Sequence, residues 1–320
     1  MAIIAGIDEA GYGPVLGPLV ITAIAFDVPE GDVDCPLEKL LKDAVTGRQE
    51  SRKHRIAVMD SKRLYHARNG LKLLENAVFP FLRSGDMKVT TFRQLLEALS
   101  CCHTGVLDGY PWYAEKDYPL PLSTNIPAVL HYADLLKYVF HKQHVRFRRP
   151  ESCVVAVKEF NSQVRLLGNN KASVLFQHCI RLVTNVWNSC DGRIKLTIDK
   201  HGGRDKYYNL LKGQFSAAKI KIVNESAGIS HYRISEKQKD MEISFVEKGE
   251  SRCLSVALAS IFSKYIRELF IKLENQYWHQ FLPDLKPTAG YYEDAQRFLS
   301  DIEHIRKREK IRDDILIRIK

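Results

Sequence analysis

The chain has 320 residues, 45% of them apolar, enough for one large core, and a formal net charge of +10. No apolar run approaches the roughly 20 residues of a membrane helix, and no basic leader opens the chain; the expectation is a soluble, cytoplasmic protein. Seven scattered cysteines, odd in number and without a Cys-x-x-Cys pair, exclude a recognisable zinc site or disulfide framework and fit reduced thiols, while the basic excess suits a partner that carries phosphates.

The first element is Ile3 to Ile7, short, β-branched and uncharged, which predicts a buried central strand. It runs into Asp8 and Glu9 and then into a turn with Gly11, Gly13 and Pro14. Residues 15–26 predict a second strand, its antiparallel partner, and residues 36–44 a short helix. A polar, basic loop over 47–55 follows. Residues 65–82 have helical spacing, with Asp60 or Ser61 as the cap and Lys62 at its start. Residues 88–92 read as a strand. Residues 101–122, rich in turn formers and aromatics (Tyr110, Trp112, Tyr113, Tyr118), read as an irregular excursion whose rings pack it onto the body of the protein, followed by a helix over 127–140. Arg146, Arg148 and Arg149 read as a solvated cluster.

Residues 153–160 predict a strand and 171–187 an amphipathic helix. Ile194 to Ile198 is a further buried strand that ends in Asp199. A helix over 205–215, a strand over 218–223 and a hairpin made by 232–235 and 241–246 lead to Lys248-Gly249-Glu250. The longest helical pattern spans 256–278, with Ala257, Ala259 and Ser260 small enough for close packing on a sheet. A turn at 287–290, a helix over 292–305 and a basic tail complete the chain. Alternating strands and helices predict an α/β fold, a mixed sheet flanked by helices, and ligands in such sheets gather at strand ends.

Three places now end in carboxylates: Asp8-Glu9, Asp199 and Glu250. If their strands are neighbours, four acids converge, an oxygen-only ligand set that suits Mg²⁺ or Mn²⁺ and two-ion chemistry on a phosphodiester. A dinucleotide fingerprint fails because Leu16 stands where its third glycine belongs, and no Gly-Lys-Ser/Thr phosphate loop is present. His201 reads as an incidental loop histidine.

Gly6-Ile7-Asp8-Glu9-Ala10-Gly11-Tyr12-Gly13-Pro14, continuing Val15-Leu16-Gly17-Pro18-Leu19-Val20, resembles the opening signature of the ribonuclease HII family, the type 2 ribonucleases H. Asp60-Ser61-Lys62-Arg63-Leu64 resembles that family's D-S-K-[KR]-L, Thr197-Ile198-Asp199 its third acidic strand end, and Lys248-Gly249-Glu250 its K-[AG]-D. The helix Ala259-Ser260-Ile261-Phe262-Ser263-Lys264 and the later Gly290-Tyr291 complete the set, in family order from residue 6 to about 300. The resemblance implies an RNase H-like catalytic domain over 1–275, with extra length near 94–150 and 226–245, and a helical C-terminal extension over 276–320. It implies an enzyme that cleaves RNA in RNA–DNA hybrids, or at ribonucleotides embedded in duplex DNA, leaving 3′-OH and 5′-phosphate ends; a monomer is expected. Asp8, Glu9, Asp199 and Glu250 would hold Mg²⁺ or Mn²⁺. Gly11 and Gly13 would bring amides to the ribose 2′-OH; Ser61, Lys62 and Lys264 would lie near the backbone phosphates or the acidic site, and Tyr291 on the sugar at the junction.

Three positions depart from the pattern. Tyr12 replaces the arginine of G-R-G, which removes a guanidinium from the substrate side. Glu250 replaces an aspartate, as in the ribonuclease HIII branch, and Glu268 replaces another, where a structural salt bridge is expected. Two alternatives follow: a nucleic-acid-binding relative with lost or altered activity, and a two-metal nuclease acting on structured DNA.

Overall fold

The computed structural model describes residues 1–48, 54–65, 70–99, 104–114 and 116–319. In chain order the first elements are β1 (Ala2–Ala10), β2 (Leu19–Val28), α1 (Leu37–Leu40), β3 (Val45–Thr46), β4 (Ile56–Ala57), α2 (Ser61–Leu64), α3 (Lys72–Ser84) and α4 (Phe92–Leu99). Then come α5 (Ile126–Lys142), β5 (Arg146–Phe147), β6 (Glu151–Val155), α6 (Val157–Leu166), α7 (Lys171–Asn188), β7 (Arg193–Asp199) and α8 (Tyr208–Gln214). The chain closes with β8 (Lys219–Glu225), β9 (Ile229–Glu236), β10 (Lys239–Val246), α9 (Leu254–His279), α10 (Tyr292–Asp301), α11 (Glu303–Arg308) and α12 (Asp313–Leu316).

β1 is buried through Asp8 and β2 along its whole length, and strands apolar on both faces belong at the centre of a layered α/β fold. The main sheet is mixed and eight-stranded, in the order β5-β2-β1-β7-β10-β9-β8, with β6 also on β2. β1 pairs antiparallel with β2 and parallel with β7, and β7 pairs parallel with β10. The two-residue period of a strand sorts its side chains into two cores. Ala2 and Ile4 join the apolar cluster that contains α9, α3 and α5; Ile3, Ala5 and Ile7 join the one that contains α6, α7 and α8. The helices α10, α11 and α12 that follow α9 add Phe298, Ile305 and Leu316 to the α9 side.

The excursion before α5 is held by its rings and by one buried anion. Trp112 lies against Tyr277 and Trp278, and Tyr113 is edge-on to Phe270, with centroids 4.9 Å apart. Glu75 is fully buried in α3; its carboxylate accepts the N–H groups of Leu122 (2.6 Å), Ser123 (2.6 Å) and Thr124 (2.8 Å) and the Tyr265 hydroxyl (3.0 Å).

Several elements differ from the sequence-based expectation. The helix expected over 65–82 starts only at Lys72, as α3: Tyr65 is extended and Gly70 has φ +50°, and the separate turn α2 ends before it at Leu64. Residues 66–69, and 49–53 of the expected loop, lie outside the described residues, as do Cys101 and Cys102. The strand over 88–92 is a single bridge from Thr91 to Pro119; proline has no ladder donor, and Phe92 already begins α4. β2 starts at Leu19 rather than Val15, because the Val15 and Leu16 amides bond the Gly290 carbonyl and Gly17 has φ +75°. β6 ends at Val155, which faces Leu19, the first residue of β2, so no partner remains and the chain turns into α6. The helix over 292–305 breaks at Ile302 into α10 and α11. Of the expected solvated cluster, Arg146 and Arg149 are exposed, but Arg146 and the partly buried Arg148 both pair with the buried Asp27, at 2.7 and 2.8 Å.

Candidate active site

The parallel strands β1, β7 and β10 lie side by side and end at one edge of the sheet. Ile7 is opposite Ile198, which brings Asp8 level with Asp199, the last residue of β7. Asp199 is in turn opposite Val246, the last residue of β10, and the short 3-10 turn after β10 carries Glu250. The carboxyl end of such a sheet is where ligands gather. Lys248 takes a left-handed conformation, φ 55°, which swings the following Gly249 N–H onto Asp199 Oδ1 at 2.8 Å.

Alternation along β1 turns Asp8 to the α9 side, where Ser263 Oγ donates to its carbonyl oxygen at 3.0 Å and lies 2.8 Å from Thr22 Oγ1. Glu9 points the other way, yet carboxylate oxygens of Asp8, Glu9 and Asp199 all lie within 4.8 Å of one another. Asp8 is buried, and Glu9, Asp199 and Glu250 are partly buried. Burial raises the Asp8 carboxyl well above the usual range, and the charges of Glu9 and Asp199 raise it further. Burial and then Asp199 push Glu9 up to about 8, against a smaller pull from Lys62. Asp199 rises to about 6 through burial, with the Gly249 N–H opposing and Glu250 adding. Clustered carboxylates of this kind repel one another until a cation or proton intervenes. The donors are hard oxygens only, so the set fits Mg²⁺ or Mn²⁺.

Asp8, Glu9, Asp199 and Glu250 line one cavity of about 300 Å³. Gly11, Tyr12 and Gly13 form part of its rim, with Ser61, Lys62, Lys264 and Tyr291 around them. Gly11 has φ +93°, and a Cβ there would sit 2.5 Å from the Pro18 carbonyl oxygen, so only glycine fits. The amides of Tyr12 and Gly13 find no acceptor among the described residues. Asp60 caps α2 by accepting the Lys62 N–H at 2.8 Å, which leaves the Lys62 side chain exposed at the cavity mouth. Two side chains are engaged more than sequence indicates. Ser61 is buried with its hydroxyl 3.0 Å from Ser260 Oγ, and the Lys264 ammonium bonds Glu268 at 2.6 Å beneath the Tyr65 ring. The salt bridge at Glu268 is therefore present. Tyr291 is half-exposed, with the Arg267 guanidinium 5.9 Å from its ring centre.

Sequence reading missed the residues that hold the glycine turn. Arg318, buried, donates to the carbonyl oxygens of Gly11 and Tyr12, the latter at 3.0 Å, and lies 4.1 Å from the Phe160 ring centre. Asn161 fixes the same stretch through the carbonyls of Asp314 (3.1 Å) and Ile317 (2.8 Å) and the Ile319 N–H (2.8 Å). The available signal was an arginine inside the apolar run from Ile315 to Ile319. Lys171 lies 5.0 Å over the Tyr12 ring, so it and Arg318 both stand close to this residue. His201 packs on Tyr207 and Phe245, and burial lowers it to about 3, consistent with a structural residue.

Fold and site together define an α/β protein with a mixed, helix-flanked sheet and a buried acidic site able to take a hard divalent cation. The chain matches no protein-family profile and no curated protein. Among solved structures it is similar to ribonuclease H2 from Pyrococcus horikoshii OT3, at 17% identity over 98% of this chain and 92% of that one, with a TM-score of 0.44. It is also similar to a chain of the PCNA:RNase HII complex from Archaeoglobus fulgidus (14% identity, 99% and 94% covered, TM-score 0.41). A third is Bst-RNase HIII in complex with Mn²⁺ (15% identity, 99% and 66% covered, TM-score 0.41).

Proposed function

We propose that the chain is a metal-dependent endoribonuclease of the ribonuclease H type 2 kind, acting on RNA–DNA hybrids or on ribonucleotides embedded in duplex DNA. The observation that carries this reading is the meeting of Asp8, Glu9 and Asp199 within 4.8 Å, in a cavity also lined by Glu250 and the Gly11–Gly13 turn. Mg²⁺ or Mn²⁺ held by these carboxylates would activate a water and stabilise charge on the leaving oxygen. The chain's own residues position the substrate. The Tyr12 and Gly13 amides face the ribose 2′-OH, the group that separates RNA from DNA. The exposed Lys62 ammonium meets a phosphate, and the Tyr291 ring packs on the neighbouring sugar. Water attack then leaves a 3′-OH and a 5′-phosphate. The catalytic unit is taken as 1–275, with 276–320 as its helical extension, working as a monomer.

The test is cleavage, with Mg²⁺ or Mn²⁺, of three labelled duplexes: an RNA–DNA hybrid, DNA with one ribonucleotide, and all-DNA. Cleavage of either of the first two and not the third is expected; inactivity on both sinks the reading. Asp8→Asn is expected to lower kcat by about a thousandfold or more, the scale of the several kcal/mol of charge stabilisation a bound metal supplies, while duplex binding persists. Tyr12 favours one second reading, a nucleic-acid-binding protein with altered activity. Tight binding of the hybrid without cleavage would select it.

A further inference from the structure

A second groove, of about 600 Å³, opens beside the acidic cavity and shares two of its walls, Asp60 and Glu250. Its lining is basic. Lys39 and Lys42 come from α1 and the turn after it, Arg55 stands just before β4, Arg63 lies in α2, and Arg252 follows the turn that carries Glu250. Lys39, Lys42, Arg63 and Arg252 are exposed. Arg55 donates to the Lys42 carbonyl at 3.1 Å and so ties one wall to the other. Three carboxylates, Glu38, Asp60 and Glu250, share the lining with these five cations. Glu38 accepts the Leu254 N–H, Asp60 caps α2, and Asp43 pairs with Lys142 at 3.3 Å. Lys39, Lys42, Arg63 and Arg252 therefore have no carboxylate partner among the described residues.

Cations that outnumber the carboxylates of one groove leave it a net positive field, which a polyanion relieves. Duplex nucleic acid presents a negative charge about every 1.7 Å along its axis. The acidic cavity itself repels a phosphate backbone, so a duplex lying over it needs cations on its flank. This groove supplies them next to the cavity, joined to it through Asp60 and Glu250. We propose that the groove holds the sugar–phosphate backbone of the duplex as it leaves the acidic cavity past Asp60 and Glu250, with Lys39, Lys42, Arg63 and Arg252 on its phosphates. The proposal rests on the nuclease reading of the cavity. It adds which side of the cavity carries the duplex.

The test is equilibrium binding of an 18-base-pair RNA–DNA hybrid in EDTA, where no cleavage occurs, across a range of salt. The variant carries Lys39→Gln, Lys42→Gln, Arg63→Gln and Arg252→Gln, all exposed positions, with its melting temperature checked against the parent. A control variant removes four exposed lysines elsewhere: Lys88→Gln, Lys116→Gln, Lys219→Gln and Lys221→Gln. Each phosphate that the protein no longer neutralises makes the slope of log K against log[salt] shallower by about 0.9. The slope of the groove variant is expected to be shallower by about 3 to 4, and the control to keep the parental slope. A parental slope in the groove variant, or an equal change in the control, overturns the groove. So does displacement of the hybrid by poly-glutamate as effectively as by duplex, which would make the groove a site for an acidic protein. If the parent binds no duplex at all, the nuclease reading falls with it, and the two failures are distinguished.

Discussion

Glu9 and Asp199 shape how the protein responds to pH. Burial and mutual repulsion hold Glu9 near 8 against an ordinary 4.5, and Asp199 near 6 against an ordinary 3.8. The folded chain keeps protons that the unfolded chain has released, so without a cation its stability falls as pH rises from about 4 to about 8. A divalent cation must displace those protons. Its apparent affinity is expected to rise about tenfold per pH unit below pH 8 for the proton on Glu9 alone. The increase in melting temperature on adding Mg²⁺ or Mn²⁺ should accordingly be larger at pH 8 than at pH 6, with protons released on binding in calorimetry. An equal increase at both pH values would contradict this. The acids themselves were legible in sequence, because each ends an apolar run. The partner of Ser61 was not, since Ser260 reaches it only through the docking of α9, whereas the Lys264–Glu268 pair lies one turn apart on α9 itself.

At the scale of elements, the site depends on how closely α9 approaches β1. A Cβ on Gly6 would sit 2.3 Å from the Ser255 carbonyl carbon and 2.4 Å from the Val256 nitrogen, both backbone atoms that cannot yield as a side chain can. Gly6→Ala is expected to destabilise by about 1–3 kcal/mol, the usual cost of overpacking, and to shift the urea midpoint down. An unchanged midpoint would show that α9 can lift from the strand at no cost. The small residues early in α9 signalled this contact, but which strand receives it depends on sheet order. Elements with strong local signals, such as β1, α7 and the β9–β10 hairpin, formed close to where periodicity put them. Elements that differed lacked a partner or met a turn: 88–92 had one bridging residue to pair with, and the helix expected over 65–82 starts at Lys72, beyond an extended Tyr65 and a positive-φ Gly70.

Across the whole molecule, the chain end returns to the chain start. The Arg318 amide bonds the Val15 carbonyl at 2.8 Å, and its guanidinium holds the carbonyls of Gly11 and Tyr12. With the carbonyls turned inward, the amides of the same turn are left to the cavity. Removing a buried charged donor leaves those carbonyls unsatisfied. Arg318→Ala should therefore cost about 1.5–3 kcal/mol in urea unfolding, and it should lower the preference for RNA-bearing over all-DNA duplex in binding. A stability loss with an unchanged preference would confine Arg318 to the fold.

The sequence by itself determined the strand cores, the carboxylates that end them and the glycines that follow, because each is a local consequence of burial, charge or backbone freedom. Tertiary structure alone decided that β1, β7 and β10 lie parallel and adjacent, which brings acids 191 and 51 residues apart along the chain (from Asp8 to Asp199 to Glu250) to the wall of one cavity. It also decided that Arg318 and Lys171 stand around Tyr12. Strand order and helix docking arise from contacts distant in sequence, and no local pattern encodes them.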